Sequence, residues 1–278
     1  MSMNSFHSRQ KKPRPAAAVA PARPEGVMRA DALLVSAGLA ASRTAAQRLI
    51  EAGRVSWNGT PISKPAQEFP DDAVLTVAAD ESDRFVSRGG LKLAGALSSS
   101  GVSAGGKTCL DVGQSTGGFT DCLLQAGAAR VVGVDVGHEQ LHLRLRHDPR
   151  VTCIEGINCR ALTAADLGAA MPAGGFDLIV ADLSFISLTL ILPQLPPLLA
   201  ADGHMLLLVK PQFELGPTAL GKGGVVKDPA RYAEVESKLR DCAAACGLTV
   251  RGWFDSPIVG GGVGHIAGNR EFFIWTQS

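Results

Sequence analysis

The chain has 278 residues, 46% hydrophobic and 19% charged, which allows a sizeable core and excludes wholesale disorder. Its length suggests one large domain plus a small one, and a net charge of +1 gives no global basic signal. A nucleic-acid partner therefore has to be argued from where the charge sits. Cys109, Cys122, Cys153, Cys159, Cys242 and Cys246 form no CxxC pair. They fit neither a disulfide framework nor a zinc site, and read as small buried residues in a reducing cytoplasm.

Residues 1–27 are rich in Pro, Ala, Lys and Arg without apolar periodicity, and read as a disordered basic tail with no signal-peptide core. From Met28 to Ala79 a small α+β domain is expected. Leu33, Leu34, Ala37 and Leu39 space out as a short helix ended near Gly38. Ser42 is placed to cap a second helix bearing Ala45, Ala46, Leu49 and Ile50, stopped at Gly53. Val55–Trp57, the Asn58-Gly59 turn and residues 61–63 predict a hairpin, and residues 74–77 a last strand. Arg29, Arg43, Arg48 and Arg54 lie on or beside the helices, either as a basic face that grips phosphates or as an ordinary solvated surface.

Residues 80–91, polar and glycine-containing, read as a linker made locally positive by Arg84 and Arg88. From Lys92 to Ser278, strands and helices alternate. Strands are expected at 108–112, 130–136, 151–155, 176–181, 204–209, 248–254 and 270–276, with helices at 119–125, 139–145 and 231–246. This alternation predicts an α/β fold with a mainly parallel, doubly wound sheet, its last strand antiparallel. The uncharged run 185–201 holds Pro193, Pro196 and Pro197. It reads as a buried helix stopped by its prolines, too short to span a bilayer.

The first strand of this domain leads into Asp111-Val-Gly-Gln-Ser-Thr-Gly-Gly-Phe. Its glycines permit a sharp turn before a helix, yet the G-x-G-x-x-G spacing of a dinucleotide site is absent. An acid ending the strand suits a cationic ligand better than a diphosphate. Asp135 ends the next strand, where a ribose hydroxyl would be held. Asp182 and Lys210 also fall at strand ends, and a lysine directly after four apolar residues is costly to bury unless it is paired or used.

These residues carry resemblances. The run from Arg29 through Val55, with Asn58-Gly59 and Lys64-Pro65, resembles the RNA-binding domain named after ribosomal protein S-four. That likeness implies RNA contacts from Arg29, Arg43, Arg48, Arg54 and Lys64, with Arg84 and Arg88 beyond. The glycine loop with its two acids resembles the S-adenosylmethionine site of Rossmann-like class I methyltransferases. It implies cofactor contacts from Asp111, Gly113, Ser115, Gly117, Gly118, Phe119, Asp135, Asn158 and Asp182.

Lys92, Asp182, Lys210 and Glu271 stand in contexts that match the Lys-Asp-Lys-Glu tetrad of FtsJ-type ribose 2′-O-methyltransferases. Joined to the small domain, and with Gly221-Lys-Gly-Gly-Val-Val-Lys-Asp as a further matching stretch, the chain resembles the TlyA family. The resemblance implies methylation of cytidine 2′-hydroxyls in ribosomal RNA or ribosomal subunits by a cytoplasmic monomer that needs no metal. Lys210 would assist loss of the hydroxyl proton, Asp182 would hold it, and Lys92 and Glu271 would orient the hydroxyl. Gln114 departs from the smaller residue frequent in its place, and Phe85 from the tryptophan sometimes found in the linker. The alternatives are a small-molecule O-methyltransferase, a membrane-damaging haemolysin, and a non-catalytic RNA-binding or assembly factor.

Overall fold

The computed structural model describes residues 26–40, 42–260 and 268–278. The basic tail lies, up to residue 25, outside them. The chain divides into two compact units, residues 1–79 and 80–278.

The small unit begins with β1 (Val27–Arg29), whose first residue falls in the stretch expected to be tail, and continues into α1 (Ala30–Ser36). Gly38, at φ +70°, turns the chain after α1. The Ser42 side chain then accepts a hydrogen bond from the Ala45 amide and caps α2 (Arg43–Glu51). β2 (Val55–Trp57) and β3 (Thr60–Pro61) form the expected hairpin. Asn58 and Gly59 have positive φ, as a two-residue turn matched to strand twist requires. β4 (Glu68–Pro70) pairs antiparallel with β1, a pairing the local pattern did not reveal, and β5 (Leu75–Val77) pairs with β2. Leu34, Ile50, Val55 and Phe69 lie in the core, with Trp57 edge-on to Phe69.

In the large unit, residues 80–91 are structured. A 3₁₀ turn covers Glu81–Arg84, Phe85 is buried, and α3 (Gly89–Ser100) starts inside the segment read as a linker. The Val86 amide donates to Asp121, which tethers this stretch to the next helix. There follow β6 (Thr108–Val112), α4 (Gly118–Gln125), β7 (Arg130–Asp135), α5 (Leu143–Arg146), β8 (Val151–Glu155), α6 (Ala164–Leu167) and β9 (Phe176–Ala181). The remainder is β10 (Leu199–Val209), α7 (Pro211–Glu214), α8 (Tyr232–Ala245), β11 (Thr249–Asp255) and β12 (Phe272–Gln277).

The seven strands order as β11-β12-β10-β9-β6-β7-β8. β12 is antiparallel to β10 and β11, while the pairings from β10 through β8 are parallel. Both sheet faces are covered. Leu110, Val112, Ile179 and Leu207 enter one core cluster, and Cys109, Leu178, Val180 and Leu206 enter the other.

Two expected helices are corrected. The helix expected over 139–145 is shortened and shifted to 143–146, because side chains capture the preceding amides: Gly137 donates to Asp135 and Glu139 to Glu155. The proline-bearing run forms three 3₁₀ turns, Leu188–Leu190, Leu192–Gln194 and Pro196–Leu198, in place of one buried helix. Each proline lacks the amide an α-helix would use, yet Leu188, Ile191, Leu192, Leu195 and Leu198 are still buried. Among the described residues no helix is long and apolar enough to cross a membrane.

Candidate active site

The carboxyl ends of the parallel strands define the site. After β9 comes Asp182, and after β10 comes Lys210. Their side chains form an ion pair at 2.6 Å, and Lys210 Nζ also donates to Ser184 Oγ at 2.9 Å. Strand register explains the meeting, since Leu207 of β10 faces Ala181 of β9 and the residues beyond both strands converge.

Val209 of β10 faces Phe272 of β12, so the next position of each strand sets Lys210 beside Glu271 along the same edge. Glu271 is 2% exposed and pairs with Lys92 of α3 at 2.5 Å. Two ion pairs from four distant parts of the sequence, one buried and one half-buried, thus share the β9-β10-β12 edge. A buried charge without a partner is costly, so each pair secures the other member's placement.

A cleft of about 430 Å³ opens beside this edge, lined in part by Gly113, Ser115, Asp135, Asn158, Asp182, Ser184 and Phe185. That volume lies in the range of small-molecule sites. Gly113 has φ +84°, and a Cβ there would sit 2.8 Å from the Asp182 carbonyl oxygen, so only glycine permits the approach of loop to strand end. Asp135 accepts from the Ser115 amide at 2.8 Å and the Gly137 amide at 2.7 Å, which fixes its carboxylate at the cleft wall. Asn158 accepts from the Arg160 amide and caps the turn after β8.

Four residues expected at the cofactor are placed beneath the cleft wall. Asp111 is fully buried on the α4 side of β6. Its Oδ2 accepts from Thr120 at 2.7 Å, its Oδ1 has no hydrogen-bond partner among the described residues, and burial pushes its carboxyl up to about 7. Gly117, at φ +91°, packs on Leu141 and Leu145, while Gly118 approaches Ser87 and Gly90. The Phe119 ring lies in the core, stacked on Phe273. The apolar side chain at the start of α4 follows that helix's inward face, which places it away from the cleft.

The arginines of the small unit are used unevenly. Arg29 makes two hydrogen bonds to Asp31, and Arg43 and Gln47 join the same carboxylate. Arg29 first, then Gln47 and Arg43, hold the fully buried Asp31 well below the usual carboxylate range. Arg54 donates twice to the Ala78 carbonyl. Arg48 and Lys64 are exposed. In the large unit Arg84 and Arg88 are exposed, with Arg84 over the Phe85 ring.

Sequence reasoning missed Asp31 as a hub and Ser184 as a partner of Lys210. It also missed Phe185, 90% exposed at the cleft with φ +65°. The last two stand in the Asp182-Leu-Ser-Phe string, and an aromatic three residues past a strand-end acid was the available signal. Burial pushes the Cys109 and Cys122 thiols up to about 12 and Cys159 up to about 11, opposite to an activated nucleophile.

A doubly wound sheet with an antiparallel strand inserted before its last, and a ligand-sized cleft at its strand ends, defines a Rossmann-like methyltransferase unit. Residues 85–278 match the FtsJ-like methyltransferases and residues 28–74 the S4 domain. The chain is 45% identical over 250 residues to the 16S/23S rRNA (cytidine-2′-O)-methyltransferase TlyA of Mycobacterium tuberculosis, covering 90% of each. It is 39% identical to hemolysin A of Brachyspira hyodysenteriae, over 77% of this chain and 89% of that one. A solved structure from Streptococcus thermophilus that carries a hemolysin name matches with a TM-score of 0.69 at 38% identity, over 92% of this chain and 90% of that one. The chain belongs to the TlyA family, an S4 domain joined to an FtsJ-like methyltransferase domain.

Proposed function

We propose that the protein transfers the methyl group of S-adenosylmethionine to the 2′-hydroxyl of a cytidine in ribosomal RNA. The observation that carries this reading is the pairing of Lys210 with Asp182 and of Lys92 with Glu271 along one strand edge, beside the cleft. The kinship with an rRNA cytidine-2′-O-methyltransferase over 90% of both chains supports the substrate. An RNA-binding domain would be superfluous to an enzyme acting on small molecules.

Gly113, Ser115, Asp135, Asn158 and Asp182 would hold the cofactor, which supplies a methyl group already activated by its sulfonium. Asp111, Gly117 and Gly118 would act from beneath by shaping the loop and the start of α4. Lys210, steadied by Asp182 and Ser184, would set an ammonium beside the 2′-oxygen, where negative charge grows as the hydroxyl proton passes to water and the methyl group arrives. Lys92 and Glu271 give a donor and an acceptor that orient the hydroxyl for in-line attack. The exposed arginines Arg48, Arg84 and Arg88, with Lys64, would grip the RNA backbone.

The test is mass-spectrometric mapping of ribosomal 2′-O-methyls in cells with and without this gene, complemented by wild type or by Lys210→Ala. We expect a modified cytidine to vanish in the knockout, return with wild type and stay absent with the variant. An unchanged map would overturn the rRNA assignment. Full restoration by Lys210→Ala would overturn the role of the lysine.

A further inference from the structure

The stretch Gly221–Asp228 follows Lys210 and α7 in the chain, and the tetrad does not use it. Its backbone is fixed by one 3₁₀ turn, Lys222–Gly224, and by the contacts around it. Leu220 bridges to Val226, the Gly221 amide donates to the Val225 carbonyl at 2.7 Å, and the Lys227 amide donates to the Ala219 carbonyl at 3.0 Å. Gly223 and Gly224 both hold positive φ, which lets the chain fold so tightly.

The second anchor is Asn269, a mostly buried side chain two residues before Glu271. Its Oδ1 accepts from the Val226 amide and its Nδ2 donates to the Gly224 carbonyl, both at 2.9 Å. The loop is thereby tied to the segment that delivers Glu271 to the tetrad.

This rigid loop carries Lys222 and Lys227, both exposed. The Lys227 stem lies across Gly221, where a Cβ would be 3.4 Å from its Cγ, so the two lysines sit on neighbouring parts of the loop. Arg231, which follows the loop, is occupied by Glu234, and Arg270, next to Asn269, by Asp255. Among the described residues neither Lys222 nor Lys227 has a carboxylate partner; Lys227 Nζ reaches only the Thr218 carbonyl, at 3.3 Å. Two like charges on an ordered loop repel each other unless an anion joins them. Any ribose whose 2′-hydroxyl reaches Lys210 brings a phosphodiester on each side.

We propose that Lys222 and Lys227 form a phosphate clamp that holds the RNA backbone flanking the acceptor ribose, an inference that rests on the RNA methyltransferase reading. The loop backbone is already held by its own hydrogen bonds, so the ordering cost on binding falls on the two lysine side chains alone. Asn269 ties the clamp to the Glu271–Lys92 pair, which links backbone capture to alignment of the hydroxyl.

The test measures binding of the full-length protein to transcribed ribosomal RNA across a salt series, with methyl transfer followed in parallel. For Lys222→Ala/Lys227→Ala, the slope of log affinity against log salt should shrink by about 1.4–1.8, at about 0.7–0.9 for each phosphate no longer neutralised. Lys222→Arg/Lys227→Arg should restore it, and affinity for S-adenosylmethionine should not change. A slope equal to wild type, while wild type still methylates the RNA, overturns the clamp alone. Failure of wild type to methylate any ribosomal RNA substrate overturns the underlying function instead. An unchanged RNA slope together with abolished binding to phosphatidylglycerol vesicles would assign the lysines to a lipid surface and overturn the proposal.

Discussion

Gln114 shows how one side chain can discipline the glycine loop after β6. It is 3% exposed, and its Nε2 donates to Thr120 Oγ1 at 2.8 Å, which in turn reaches Asp111. Its amide fits only because residue 133 on β7 is glycine; a Cβ there would lie 2.0 Å from Gln114 Cδ. Gly133→Ala should therefore overpack the site and cost about 1–3 kcal/mol. The same change in a Gln114→Ala background should cost far less, because the clash is gone. Urea midpoints of the four proteins give the coupling, and additive losses would refute the account. The sequence marked Gln114 only as larger than usual. Its partner Gly133 lies in a strand that reads as ordinary apolar sequence, and only the packing of loop on strand reveals why both residues are needed.

Elements were legible where a local signal has a local cause. Ser42, with a free side-chain oxygen before an apolar-periodic run, announces α2, and the cap forms. Ser42→Ala should destabilise the small unit by about 1 kcal/mol, seen as a lower melting temperature without loss of its secondary structure at low temperature. An unchanged melt would show that the cap contributes nothing. Asn58-Gly59 likewise dictates its turn. The β1–β4 pair was not legible because its strands are short and about forty residues apart in sequence, so nothing local advertises the partner. The run 188–198 shows the converse failure. Apolar content guaranteed burial, yet three prolines decided that the backbone would be 3₁₀ turns.

At the scale of the molecule, the two units carry buried aspartates of opposite character. Arg29, Gln47 and Arg43 hold the folded-state pKa of Asp31 below its unfolded value. Its contribution is present above about pH 4 and is lost as the pH falls below that. Burial raises Asp111 to about 7, so the folded large unit keeps a proton that the unfolded chain releases from about pH 4 upward. The stability from that group falls as pH rises from about 4 to 7 and is level beyond. Calorimetry from about pH 3 to 8 should show the small unit weakening toward acid and the large unit gaining stability from about pH 7 down to 4. Asp111→Asn should flatten the second trend and leave the first; an unaltered slope would exclude Asp111 as its source.

What the sequence made legible by itself was the alternation of elements, the glycine loop with its acid, and Lys92, Asp182, Lys210 and Glu271, which the fold gathers into two ion pairs. Each is written in short-range spacing or in a motif that resembles a known family. Tertiary structure alone decided which charges are available. Asp31 draws on two arginines that looked free for RNA, Asp111 lies under the glycine loop, and Lys92 reaches Glu271 across 179 positions of chain. Burial and long-range register set these outcomes, because the cost of an unpaired charge depends on what the rest of the fold brings to it.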